Sequence, residues 1–250
     1  YFNKRLQSTK DSKSSSNDES NLAANCLIGT NNGLVYSNNT TVWYLATITP
    51  KLDDRSIDAN GIPFTSVCAA SSQGIATSGN ASVSGTYYPS TIYFADQIST
   101  GSWDICGISA DFDPSYSQFT CSTISEDMTY SLVGTGPLSQ GNTNCGNASC
   151  GGVYYQDYTV AQDAGTTYGF SLSSVTDSSG IVMSWNDIYV YSISNYEFSG
   201  IAGTSAGLFY TTNNGKSFTQ VASSVISISA SVVAVYMNSE LNAVCAVGRT

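Results

Sequence analysis

The sequence of 250 residues has no histidine and is poor in charge, with eight basic and eighteen acidic side chains. Without histidine the usual general base near neutral pH is missing, and so are the usual Ser or Cys triad and most zinc sites. A net charge of −10 does not favour nucleic acid as a partner. No apolar run of membrane-spanning length and no signal peptide remain in this sequence, which begins with Tyr1, and a removed secretion signal is compatible with it. Because histidine is absent, we expect no metal and no cofactor.

The composition that remains is typical of a β-protein. It is 41% hydrophobic and 10% charged, with 22 glycines and 17 tyrosines. Ser, Thr, Asn and Tyr supply the polarity, and no helical period persists beyond a few residues. The length is sufficient for one substantial core. We expect an all-β fold with almost no helix.

The clearest local signal runs from Ser199 to Val221, SGIAGTSAGLFYTTNNGKSFTQV. Two apolar strands flank a reversal at Gly207, and Asn213-Asn214-Gly215 forms a second turn, because Asn and Gly tolerate the positive φ that tight turns need. Gly203 to Gly207 also matches G-x-S-x-G, but that nucleophile motif requires a strand-to-helix turn and a histidine. We interpret it as a β-turn.

The spacing Thr211-x-Asn213-x-Gly215-x-Ser217-Phe218 resembles the Asp-box, or BNR repeat, of the sialidase and sortilin-like β-propeller superfamily, with Asn213 in place of Asp. In that family the box is a turn between the outer strands of a blade, capped by its polar side chain while its aromatic packs inward. The motif signals fold and not activity. Two degraded copies follow the same pattern: Ser37, Asn39 and Trp43; and Ala161, Asp163, Gly165, Thr167 and Tyr168.

Imperfect repeats extend over most of residues 25–250. Matching positions are Gly29, Ala70, Ile108, Gly134, Gly203 and Gly248. The resemblance therefore implies a propeller of about five to six four-stranded antiparallel blades. The strand at 242–249 repeats the one at 25–30, so we expect a terminal strand or a neighbouring subunit to complete the fold.

Residues 1–20 differ in composition from residues 21–250, which we assign to a single propeller domain. The first segment is Ser-rich and contains four of the eight basic residues against three acidic ones, so we expect a flexible basic arm. Beside an acidic body, such an arm either docks within the molecule or onto a neighbour, or touches nothing.

Seven cysteines and four sequons bear on compartment. Cys145 and Cys150 bracket a Gly-Asn-rich loop and are expected to bridge, Cys106 and Cys121 form a second candidate pair, and Cys26, Cys68, Cys106 and Cys245 otherwise suit small core positions. Asn38, Asn39, Asn80 and Asn147 open N-x-S/T sequons in predicted turns. These features, with Tyr1 at the start, are compatible with a secreted, extracellular glycoprotein.

Enzymatic alternatives depend on acidic residues. Sialidases clamp a carboxylate with three arginines, whereas this chain has only Arg5, Arg55 and Arg249 and lacks the Arg of the family's Arg-Ile-Pro motif at residues 60–63. Other Asp-box propellers cleave β-glucans with a carboxylate pair. The densest acidic candidates are Asp111, Asp113, Glu126 and Asp127. We interpret them as solvated turn residues, and Asp111-x-Asp113 lacks the further spacing of a known calcium loop.

Two functions remain. The first is a non-catalytic secreted structural or adhesive glycoprotein that assembles with copies of itself, or with other extracellular proteins, through its arm and last strand. The alternative is a carbohydrate-active propeller, either an endo-glycoside hydrolase or a glycan-binding module. Tyrosines at positions 87, 88, 154 and 155 offer a surface for sugars or proteins. Tyr189 and Tyr191 suit ordinary sheet packing.

Overall fold

A computed structural model describes residues 26–38, 41–49, 57–58, 60–70, 72–109, 112, 114–115, 117–125, 130–137, 152–164, 166–176, 184–194, 197–227, 230–239 and 242–248. Twenty-three strands account for nearly all regular structure in these residues. The helical elements are α1 (Tyr158–Ala164) and one 3₁₀ turn (Ile98–Thr100). The all-β prediction is confirmed, whereas the division at residue 20 stays a prediction, because residues 1–20 lie outside the described residues.

The strands form a β-propeller with three complete four-stranded antiparallel blades and a partial blade on either side. Partial blade 1 is β1 (Cys26–Thr30), β2 (Gly33–Ser37) and β3 (Tyr44–Leu45), and partial blade 5 is β22 (Val232–Ser239) and β23 (Asn242–Val247). From inner to outer edge, the complete blades are: blade 2, β6 (Phe64–Ala70), β7 (Gln73–Ser78), β10 (Ile92–Ala95) and β11 (Ser102–Ile105); blade 3, β13 (Ser117–Ile124), β14 (Ser131–Pro137), β15 (Val153–Gln156) and β16 (Gly169–Leu172); blade 4, β18 (Trp185–Ser194), β19 (Glu197–Thr204), β20 (Gly207–Thr211) and β21 (Ser217–Gln220).

A repeated crossover links each blade to the next. The chain leaves an outer strand and adds a short strand, in parallel, to the outer strand of the following blade. These strands are β4 (Thr47–Thr49) on β11, β12 (Gly107–Ile108) on β16, and β17 (Ser174–Thr176) on β21. Strand β4 also pairs with β5 (Ile57–Asp58). The one residue between outer and crossover strand is small and buried each time: Ala46, Cys106 and Ser173.

Backbone hydrogen bonds identify the strands of partial blade 1. The Cys106 and Ser173 N–H groups donate to the first carbonyl of the third strand of their blades, at Ile92 and Val153. Ala46 N–H donates to Leu34 O in the same manner at 2.9 Å. Strand β2 therefore occupies the third position and β1 the second. Within the described residues, no strand lies on the inner side of β1.

Three of the matched glycines share one structural position in the second strand of a blade. A Cβ on Gly29 would lie 2.9 Å from Phe64 Cβ, one on Gly134 2.7 Å from Trp185 Cβ, and one on Gly203 2.7 Å from Val232 Cγ1. Each of these neighbours belongs to the inner strand of the next blade. Only glycine fits, because the blades approach so closely.

The other matched positions set the repeat in the wrong register. Ala70 lies in the inner strand of blade 2 and Ile108 in a crossover strand, so neither corresponds to Gly134. The error has a physical cause: inner, second and crossover strands are all short apolar runs packed between blades. Gly248 follows β23, the second strand of partial blade 5.

The core is distributed over the interfaces between successive blades. Four clusters of buried side chains fill these interfaces, one each between blades 1 and 2, 2 and 3, 3 and 4, and 4 and 5. Trp103 and Trp185 are fully buried in two of them. A small hairpin, formed by β8 (Ala81–Val83) and β9 (Thr86–Tyr88), projects from blade 2. The turn between its two strands has positive φ at Ser84 and Gly85. No helix of the described residues is long and apolar enough to cross a membrane.

Candidate functional site

The turn after β20 is closed by its own side chains. Asn213 Oδ1 accepts a hydrogen bond from Ser217 N–H at 3.0 Å, and Asn213 Nδ2 donates to Ser217 Oγ at 2.7 Å. Thr211 Oγ1 accepts from Gly215 N–H at 3.2 Å. Asn214 and Gly215 both have positive φ, and Phe218 is fully buried. The residues predicted for this box thus form one capped turn between third and outer strands.

The other two predicted boxes differ from it. In partial blade 1, Ser37 is buried while Trp43 is 40% exposed, and Asn39 lies outside the described residues. In blade 3 the predicted turn is wrong, because α1 occupies the connection and leaves Asp163 and Thr167 exposed. Residues 157–168 make this connection longer than that of blade 4, which gives Ala161 and its helix-forming neighbours room for a turn of helix. Gly165 lies outside the described residues.

Blade 2 contains an equivalent connection that the sequence analysis missed. A 3₁₀ turn ends at Gly101, whose φ is 68°, and Trp103 follows as a fully buried residue of the outer strand. The Gly-Ser-Trp sequence is one residue shorter than the Gly-x-Ser-Phe of blade 4. A search that allowed a box one residue short, like the one that ends at Trp43, would have found this connection in the sequence.

Acidic residues named as catalytic candidates, Asp111, Asp113, Glu126 and Asp127, lie outside the described residues. Within the described part of the chain, no group of three His, Cys, Asp or Glu side chains is placed to hold a metal ion. The Gly203 to Gly207 segment is a tight β-turn between β19 and β20, in which Thr204 Oγ1 donates to Gly207 O at 2.9 Å.

One sequon has a structural role. Asn80 Nδ2 donates to Pro114 O at 2.9 Å, and its Oδ1 accepts from Ser90 N–H at 2.7 Å, so this side chain closes the base of the β8–β9 hairpin. A glycan on Nδ2 would leave that nitrogen a single N–H, which the bond to Pro114 O already uses. Asn38 is half-buried, whereas Asn39 and Asn147 lie outside the described residues.

None of the five described cysteines takes part in a disulfide. Cys68, Cys106 and Cys121 are buried, and the last two belong to different clusters without a bond between them. Burial raises the pKa of the Cys106 thiol well above its usual value. Cys26 and Cys245 are half-buried because they lie in partial blades. Cys145 and Cys150 lie outside the described residues.

A pocket with a volume of about 220 Å³ opens on blade 3. Tyr168 forms one wall: its ring stacks on Phe94 of blade 2 with centroids 3.9 Å apart, and its hydroxyl donates to Asp96 Oδ1. Burial, and next this hydrogen bond, raise the pKa of Tyr168, so the hydroxyl remains a donor. The pocket is lined by Tyr130, Gln156, Asp157, Ala161, Thr167, Tyr168 and Gly169.

Asp157 is the pocket's carboxylate. Its Oδ2 accepts a hydrogen bond from Ser171 Oγ at 2.6 Å, and its N–H donates to Gly169 O at 2.7 Å. Burial, followed by the Asp157 charge, raises the pKa of the neighbouring Tyr155. No direct sequence signal marks this pocket, because Tyr130 lies in the connection between β13 and β14, whereas Asp157 and Tyr168 lie at the two ends of the connection between β15 and β16.

The tyrosines separate into surface and core. Tyr87 is 58% exposed on the β8–β9 hairpin, whereas Tyr154 is buried beside Phe119. Tyr189 is buried and packs on Tyr236 across the interface of blades 4 and 5, as predicted for ordinary sheet packing.

Exposed apolar side chains are concentrated on the partial blades. Ten large hydrophobic residues are exposed in the described part of the chain, and seven of them belong to the partial blades. These seven, which we name the end residues, are Val42, Trp43, Tyr44 and Leu45 in partial blade 1 and Val233, Tyr236 and Val247 in partial blade 5.

The fold and these surfaces define an all-β propeller protein. No protein-family model and no curated protein matches the sequence. Among solved structures, YCF48 bound to a D1 peptide is 9% identical over 89% of this chain and 57% of its own, with a TM-score of 0.46. A GH74 enzyme of Niastella koreensis is 17% identical over 80% of this chain and 28% of its own, with a TM-score of 0.45. The Hadza microbial sialidase is 10% identical over 76% and 40%, with a TM-score of 0.39.

These neighbours are β-propeller proteins that include glycoside hydrolases. The chain spans 57% or less of the length of each of the three. Membership of the Asp-box family stays a prediction.

Proposed function

We propose that this chain is a non-catalytic, extracellular structural or adhesive propeller that associates with copies of itself through its partial blades. The main observation in support of this proposal is the position of the end residues on the partial blades. Seven of the ten exposed large apolar side chains in the described residues lie in the partial blades, and the other three are Tyr87, Tyr210 and Val225. A concentration of exposed apolar residues, such as the consecutive Val42, Trp43, Tyr44 and Leu45, marks a protein contact site.

Strand edges support the same proposal. Within the described residues, β1 has no partner on its inner side and β23 has none on its outer side. Unpaired edges expose backbone N–H and C=O groups, which a strand from another molecule satisfies. Residues 14–25, which precede β1, contain Leu22 as their one large apolar residue, whereas the inner strands β6, β13, β18 and β22 are rich in aromatic and β-branched residues. That contrast favours a partner strand supplied by a second molecule.

The non-catalytic part of the proposal is supported by the sequence, which has no histidine and only three arginines. Secretion and glycosylation belong to the proposal as expected properties of an extracellular protein. The basic residues of the 1–20 segment complement the acidic remainder of the chain, and this charge difference favours contact between copies.

The test is the native mass of the particle, measured by light scattering. We expect the wild-type particle to contain several chains, each of 26.3 kDa plus its glycans. Two variants should reduce the mass toward one chain: Trp43→Ser with Tyr44→Thr, and Val233→Thr with Tyr236→Thr. Tyr87→Thr is the matched control, because Tyr87 is 58% exposed and Tyr236 51%, but Tyr87 lies on blade 2. A wild-type mass of a single chain, or a mass unchanged in both variants, would refute the proposal.

A further inference from the structure

We propose that the pocket on blade 3 binds one ring of a neutral saccharide, with Tyr168 and Tyr130 as apolar walls and Gln156, Asp157 and Thr167 as partners for sugar hydroxyls. This binding function is separate from self-association, since blade 3 is a complete blade and carries none of the end residues.

The aromatic wall is held in place before any ligand arrives. Tyr168 is fixed at two points by blade 2, through the stacked ring of Phe94 and the carboxylate of Asp96. Tyr130 is fixed from the other side by the ring of Phe198, whose centroid lies 4.7 Å away. Rings held this way lose little conformational entropy on binding, and tyrosine offers a large apolar face with a polar rim. The C–H faces of a pyranose suit such a wall.

The floor of the pocket is equally rigid. A Cβ on Gly169 would collide with the backbone of Ala161, so strand β16 and helix α1 pack backbone to backbone beneath the site. The volume of about 220 Å³ is smaller than the roughly 300–1,000 Å³ of clefts for drug-sized ligands. The pocket therefore suits a single ring at the end of, or within, a longer glycan.

The polar side chains of the pocket offer both donors and acceptors to the hydroxyls of a sugar. The Asp157 carboxylate accepts hydrogen bonds, the Gln156 amide both donates and accepts, and the Thr167 hydroxyl does either. Ser171 Oγ and the backbone bond to Gly169 fix the position of Asp157. Sugar hydroxyls act as donors and acceptors at once, so such a mixed set satisfies several of them together.

Charge selects a neutral ligand. No lysine or arginine is among the seven lining residues, and Asp157 and Asp96 lie in or beside the pocket. The whole chain carries −10. Sugars bearing a carboxylate or sulfate would meet like charge without a compensating cation, which disfavours them.

The experiment is saturation-transfer NMR on the full chain with glucose, galactose, mannose, xylose and N-acetylglucosamine, and with glucuronic acid and sialic acid as anionic probes. At least one neutral sugar should receive saturation, and the two acids should not. Gln156→Ala combined with Thr167→Ala should lower the affinity for that sugar at least tenfold while leaving the folded spectrum unchanged. Tyr87→Ala, which removes an exposed tyrosine from blade 2, should leave the affinity as it is.

Three results would overturn the proposal. They are no transfer to any neutral sugar, an affinity unchanged in the Gln156→Ala and Thr167→Ala variant, or equal transfer to glucuronic acid. Tyr168→Phe gives a further readout, since it removes the bond to Asp96 but keeps the ring. We expect a smaller loss of affinity than in the double variant, and a larger loss than in the double variant contradicts the stacking role of the ring.

Discussion

Asn213 Oδ1 accepts a hydrogen bond from the backbone N–H of Ser217 at 3.0 Å and so closes the turn between the third and outer strands of blade 4. The amide thus performs the capping that the resemblance assigns to Asp. Its Nδ2 adds a bond to Ser217 Oγ, for which a carboxylate has no donor.

The first prediction concerns this cap. Asn213→Ala removes the acceptor for Ser217 N–H, so we expect a loss of about 1–2 kcal/mol in the free energy of unfolding. Asn213→Asp retains the acceptor and should lie within about 0.5 kcal/mol of wild type. Urea unfolding of the three proteins measures both differences. Equal stability of the alanine variant and the wild type would show that the cap contributes nothing.

The close approach of blades 4 and 5 gives the second prediction. A Cβ on Gly203 would lie 2.7 Å from Val232 Cγ1 and 2.8 Å from Val232 O. Gly203→Ala should therefore cost about 1–3 kcal/mol, as overpacking does. Gly79→Ala is the control, since its nearest neighbour would be at 3.4 Å. Thermal unfolding compares the two, and equal melting temperatures would contradict the tight packing.

How much of this fold was predictable depends on the range of the signal. The hairpin and turn from Ser199 to Val221 are encoded locally, by Asn and Gly at the positive-φ positions and apolar strands beside them. The register of the blades is not encoded locally. Ala70 lies in an inner strand and Gly134 in a second strand, and both strands are buried, so only their pairing partners distinguish the two positions. Pairing is a long-range property that one sequence does not display.

The candidate site shows the same limit. Helix α1 follows from the length of one connection, and the sequence offered a box-like spacing at Asp163 that competed with it. Tyr168 was named as the inward-packing aromatic of a box, and in the structure it stacks on Phe94 and bonds Asp96 across a blade interface. Contacts between blades carry no local sequence pattern, so the pocket had to come from the structure.

The third prediction tests the amino-terminal segment. Deleting residues 1–20 removes four basic and three acidic side chains, and with them the charge attraction between copies. We expect self-association to be lost and the β-rich circular dichroism spectrum to be unchanged, because the described strands begin at Cys26. Light scattering and circular dichroism measure the two properties. An unaltered oligomer contradicts a role of this segment in assembly, while the end-residue variants test the partial blades separately.

Thiol accessibility is the fourth prediction. Cys26 and Cys245 are half-buried on the partial blades, whereas Cys68, Cys106 and Cys121 are buried between complete ones. A brief alkylation of the native protein, followed by peptide mass mapping, should label the first two and spare the other three. All five should react in denaturant. Native labelling of Cys106 would mean that the interface of blades 2 and 3 opens. A disulfide between Cys106 and Cys121 would lower the mass by two hydrogen atoms.

Alkaline stability supplies the last prediction. Burial raises the pKa of Tyr93 from 10.0 to about 12, since its ring lies in the core against Phe64 and its phenolate would be desolvated. The folded state therefore holds the Tyr93 proton more tightly than the unfolded state. The resulting contribution to the free energy of unfolding is fully present below pH 10 and is lost as pH rises toward 12. The loss approaches about 1.4 kcal/mol per pH unit in that window. Comparing urea unfolding of wild type and Tyr93→Phe at pH 8, 10 and 11 isolates it: the variant should show a shallower decline, with exposed Tyr87→Phe as control. Parallel declines of the free energy of unfolding in all three proteins would mean that Tyr93 ionises without unfolding the interface between blades 1 and 2.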